Sequence, residues 1–209
     1  MIDLSRGFED NLEIGDEKYP LNLSFDNVLR LLEMLHDESV PSIVQPYLAL
    51  KMLLKYENQT DEKHVDDLLS SLEVETAVDV FKAISDEYIV IKSAKAQAPI
   101  YDLAGNLITR KPVKEEEDED REIYYSLKYD GDYIYSSFLQ AYQIDLIEVQ
   151  GILHWQKFYA LLNGLPSDTK FAEVIKIRTW EEQKGDSPEY KEKMRQLQDE
   201  YALPEFIDY

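Results

Sequence analysis

The sequence contains no cysteine. That excludes disulfide staples, thiolate zinc centres and cysteine nucleophiles. Glycine is scarce, with seven in 209 residues, and none falls in the spacing of a phosphate-cradling loop. Basic residues are few: 22 Lys and Arg stand against 43 Asp and Glu, a net charge of -21. A field of that sign repels phosphate backbones and anionic lipid surfaces, so neither nucleic acid nor a membrane is an expected partner. No apolar run approaches the ~20 residues of a membrane span. Met1 to Arg6 lacks the apolar core of a signal peptide, so the expectation is a protein that stays in the cytoplasm of the cell that makes it.

What is present is enough for a folded chain. Apolar residues make up 44%, well above the level of disordered sequences. Within residues 8 to 23, Leu12 and Ile14 alternate with polar residues before Gly15-Asp16, and Tyr19, Leu21 and Leu23 follow it in period two. This predicts a short β-hairpin with Pro20 on an edge strand. The remaining periodicity is helical. Ser24 heads a stripe of Val28, Leu31, Leu32 and Leu35. Pro41 heads another, with Ile43, Tyr47, Leu50 and Leu54. Val65, Leu68, Leu69 and Leu72 form a third, and Ala77, Val80, Phe81 and Ile84 a fourth that runs into Tyr88 to Ile91. The fold class expected is mainly α, a bundle of six to nine helices (roughly, given boundary error) with a short N-terminal hairpin.

Composition divides the chain into residues 1–91, 92–129 and 130–209. The middle stretch holds Pro99, Gly105, Pro112 and six successive carboxylates, Glu115 to Asp120. Like charges in a run repel and resist burial, so residues 114–121 are expected to be exposed within a mobile connection. A calcium loop needs spaced ligands and a turn glycine, which this block lacks. Ile100 to Leu107 carries a second hairpin pattern around Gly105.

In the C-terminal part, Asp130-Gly131-Asp132 precedes a stripe of Ile134, Phe138, Ala141 and Tyr142. Asp145 and Glu148 have capping-box spacing, which predicts a helix from Asp145 to Asn163, stopped by Gly164 and Pro166. That helix is apolar nearly all round and is expected to be central. Ser167 or Asp168 caps the next, bearing Phe171, Val174, Ile175 and Arg178 and ending near Gly185. Ser187-Pro188 opens the last, with Tyr190, Met194, Leu197 and Tyr201 in line.

Chemistry is hard to find. The three histidines are His36, His64 and His154. His64 precedes Asp67 by three residues, a weak metal spacing that lacks further convergent ligands and reads first as an ordinary solvated patch. His154 beside Trp155 reads either as a general base or as a core histidine bonded to a carbonyl or carboxylate. No serine nucleophile motif accompanies it. No enzyme activity, metal or cofactor is expected. The 15 tyrosines read as core first and as interface second.

One segment is more specific. Tyr133-Ile-Tyr-Ser-Ser-Phe-Leu-Gln-Ala-Tyr-Gln-Ile-Asp-Leu146 is followed by Leu153-His-Trp-Gln-Lys-Phe158, Leu161-Leu-Asn-Gly-Leu-Pro166 and Ile175-Lys-Ile-Arg178. This resembles the gene-product-fifteen family of siphophages and prophages of Gram-positive bacteria. The resemblance implies a tail assembly chaperone that binds the tape-measure protein, with a second tail assembly chaperone as a further candidate partner; a long target with repeated sites would take several copies, a homo-oligomer on its target. It implies work in the host cytoplasm and absence from the mature virion. It also marks Tyr133, Phe138, Tyr142, Asp145, Leu153, His154, Trp155, Phe158 and Arg178 as motif positions, core or interface. The rival reading is an acidic phage protein that inhibits a host DNA-binding or defence protein by mimicry.

Overall fold

The computed structural model describes residues 2–14, 17–56, 59–90, 100–101, 107–108 and 124–204. It divides into two compact units, one of residues 1–90 and 124–209, the other of residues 91–123. The fold is mainly α with a short N-terminal hairpin, as the patterning predicts. The six-carboxylate run, the turn of the second hairpin and the C-terminal Phe206 to Tyr209 lie outside the described residues.

In the larger unit, β1 (Asn11–Ile14) pairs antiparallel with β2 (Glu17–Pro20), Leu12 opposite Tyr19. Pro20 cannot donate to a ladder, but its carbonyl accepts from the Lys55 amide. The chain then bridges Leu21 to Leu54. A lone hairpin is marginal in water, and here Tyr19, Leu21 and Leu23 are buried in the core.

Helix α1 (Phe25–Leu35) buries Phe25, Val28 and Leu31 on one face. It packs on α2 (Gln45–Leu53). Asn27, buried between them, donates to the carbonyls of Asn22 and Met52. The second helix starts later than Pro41 suggests. Pro41 instead closes a turn with its carbonyl on the Val44 and Gln45 amides, and Pro46 opens the helix. Ile43 is therefore exposed rather than core. Helices α3 (Gln59–Ser71) and α4 (Val74–Ile84) follow their stripes, with Val65, Leu69, Ala77 and Ile84 buried. The last turn widens to π geometry over Ser85–Ile89.

After the smaller unit come α5 (Gly131–Tyr142), α6 (Trp155–Asn163), α7 (Lys170–Arg178) and α8 (Pro188–Glu200). Two expectations are corrected. The helix expected from Asp145 begins ten residues later, because residues 146–152 form successive turns. Gly151 takes φ +73 there, a left-handed conformation that ends helical propagation. The helix expected to reach Gly185 ends at Arg178, because Gln198 of α8 donates to the carbonyls of Arg178 and Trp180. Those carbonyls are what a continuing helix would use. On α8, Ser187 caps the Tyr190 amide as its position predicts. Tyr190 itself is exposed, its ring edge-on to Trp180.

In the smaller unit, β3 (Ile100–Tyr101) pairs antiparallel with β4 (Leu107–Ile108), Ile100 opposite Ile108.

Candidate functional site

The motif residues of α5 and α6 converge on one ring. Phe158 is buried at the centre of an aromatic cluster, with Phe25 at 4.9 Å, Phe138 at 5.3 Å and Trp155 at 5.8 Å between centroids, all near-parallel. Such contacts add roughly 0.5–1.5 kcal/mol each beyond burial. Phe138 meets Tyr142 edge-on, and the Tyr142 hydroxyl donates to the Leu161 carbonyl at 3.0 Å. The Trp155 indole N–H donates to the Ile89 carbonyl at 3.0 Å, which ties α6 to the π turn. The cluster thus joins sequence segments 25, 89, 138 and 158, and only the last two belong to the motif.

His154 sits at the N-cap of α6. Its Nδ1 accepts the Gln156 amide at 3.1 Å, and its Nε2 faces an Asp10 carboxylate oxygen at 2.9 Å. An acceptor Nδ1 fixes the tautomer: Nε2 carries the proton and donates it to Asp10. Phe8 stacks on the ring at 3.7 Å, with Lys157 over the far ring. Burial pushes the His154 pKa down, against the raising pull of Asp10. Both nitrogens are engaged, so the ring in this geometry positions backbone and has no free basic lone pair. Neither Phe8 nor Asp10 is marked by periodicity or motif, so sequence reading alone does not find them.

The same residues make a junction. Phe25 N–H donates to the Leu153 carbonyl and Trp155 N–H to the Leu23 carbonyl, a bridge between Ser24 and His154. The starts of α1 and α6 are thereby joined side by side.

Arg178 makes the second junction. Its guanidinium grips both oxygens of buried Asp130, at 2.7 and 2.8 Å. It also donates to the Tyr201 and Tyr124 carbonyls. Asp130 stands at the N-cap position of α5, but its side chain makes no cap bond there and accepts from the Ser126 amide. Tyr133 meets Tyr201 edge-on, with Lys170 near both rings. Asp145 holds the following turn: one carboxylate oxygen accepts from the Ile147 and Glu148 amides, the other from the Tyr135 hydroxyl. The Ile147 amide bond, followed by the Tyr135 and Glu148 contacts, keeps this carboxyl below its usual range despite partial desolvation.

His64 turns toward the hairpin, where Nε2 lies 3.1 Å from Glu17 and 3.3 Å from the Tyr19 hydroxyl. That hydroxyl donates to Glu17, which pushes its pKa up to about 12. Asp67 is not among the hydrogen-bond partners that the structure gives His64. Among the described residues no group of three or more His, Asp or Glu side chains is placed to hold a metal ion. No helix among them is long and apolar enough to cross a membrane.

Comparison with known proteins finds a family. The family model of the bacteriophage Gp15 protein covers residues 8–203. No curated protein matches the chain, and no solved structure does.

Proposed function

This chain belongs to the bacteriophage Gp15 protein family, and we propose from that premise that it is a tail assembly chaperone. It binds the tape-measure protein, keeps it soluble during assembly, and does no chemistry. The family match across residues 8–203 carries the reading. The geometry of the motif is in keeping with it, since His154 and Arg178 are engaged in holding the chain together. The protein works in the host cytoplasm and leaves before the virion is complete. Several copies act on one tape measure, because a long target offers repeated sites and linked weak contacts gain avidity. A net charge of -21 keeps such a complex soluble.

Deletion of the gene tests this. The expected result is normal heads with tails absent or scarce, restored by supplying the protein in trans, and no copies in purified virions. Normal tails at normal yield, or a stoichiometric presence in virions, would overturn it.

A further inference from the structure

We infer that the turn over residues 145–152 is a docking surface for a basic, amphipathic protein segment. The inference deepens the chaperone reading and rests on it in one respect: the natural source of that segment would be the tape measure.

The turn holds Ile152 at 78% exposure and Ile147 at 64%. An exposed isoleucine is ordinary in itself. Two on one short segment that is pinned from both sides are not. On one side Asp145 caps the turn and receives the hydroxyl of Tyr135 from α5. On the other the Gly151 amide donates to Asp26 of α1 at 2.7 Å. The backbone is fixed before any partner arrives, so little ordering cost remains on binding. Leu139, one helical turn beyond Tyr135 on the same face of α5, is 45% exposed.

Charge selects the occupant. Residues 145–152 hold no lysine or arginine, while Asp145 and the exposed Glu148 are acidic; the next cation along the chain, Lys157, lies over the Phe8 ring. Arg30, the cation nearest along α1, is already paired with Asp26. Exposed apolar residues with acidic neighbours favour apolar side chains flanked by lysine or arginine. A second copy would bring one charge of -21 against another, and an anionic membrane is disfavoured for the same reason.

The test uses the full chain and two synthetic peptides of one helical pattern, leucine with lysine and leucine with glutamate. The leucine–lysine peptide is expected to bind the wild type and the leucine–glutamate peptide not to. Ile147→Ser with Ile152→Ser should weaken binding about tenfold or more, the scale of losing central apolar contacts, with melting unchanged. Leu4→Ser, at another exposed apolar residue, should bind as wild type does. Equal affinity in the double variant, equal binding of both peptides, or a wild-type dimer that the double substitution dissolves would overturn the proposal. Co-expressed tape-measure protein separates the two readings. Capture by wild type and double variant alike removes this surface and leaves the chaperone reading standing. Peptide binding lost in the double variant, with no tape measure captured by wild type, keeps the surface and removes the chaperone reading.

Discussion

Arg178 donates in four directions inside the protein, to both oxygens of Asp130 and to two carbonyls far apart in sequence. A lysine has the charge but not the planar fork, so Arg178→Lys should still destabilise. Arg178→Ala should cost about 3–5 kcal/mol in urea denaturation, since it strands a carboxylate that is 1% exposed. An alanine variant as stable as wild type would show the pair to be dispensable. Trp155→Ala should cost about 3–5 kcal/mol as a buried ring with a bonded indole N–H. For His154 the sign follows from its lowered pKa. The unfolded chain binds the proton more readily, so the histidine's contribution is complete above about pH 6.5. It is lost as pH falls through the lower folded-state value. His154→Asn keeps a capping acceptor and should flatten the fall in stability just below pH 6.5; an unchanged slope would remove His154 from the account. His154 and Trp155 stand out in the sequence, but what each touches does not. Asp10 lies 144 positions from His154, and no local rule links them.

Among the elements, legibility follows the strength of local patterning. The N-terminal hairpin, α1, α3, α4 and α8 can be read because the apolar period is local and strong, and the pairing of β3 with β4 falls within the second hairpin pattern. Residues 145–154 mislead because their apolar content fits a helix while Gly151, left-handed, and the bridge to Ser24 forbid one. Tertiary hydrogen bonds outweigh periodicity there. The end of α7 is illegible for a similar reason, since its stop is a side chain of α8. Gly151→Ala tests the turn. No neighbouring atom blocks a Cβ, so a loss of about 1 kcal/mol would measure the positive φ alone. Equal stability would mean that the turn accommodates an ordinary residue.

At the scale of the whole molecule, charge and topology set the behaviour. With -21, self-repulsion opposes the compact state. Raising salt from about 20 to 300 mM should raise the melting temperature, because the screening length shortens to below the spacing of surface charges. A melting temperature that falls with salt would mean that exposed ion pairs matter more than the net charge. The bridge between the starts of α1 and α6 also has a meaning in time. The ribosome makes about 5–20 residues per second, so the 130 positions from Ser24 to His154 take roughly 6.5 to 26 seconds. Throughout that interval Phe25, Val28 and Leu31 have no α6 to cover them. A chain cut at residue 150 should therefore show no cooperative melting, and the nascent protein should bind the cell's own folding helpers. A protein proposed to shield a sticky partner is, until its last quarter is made, in need of shielding itself.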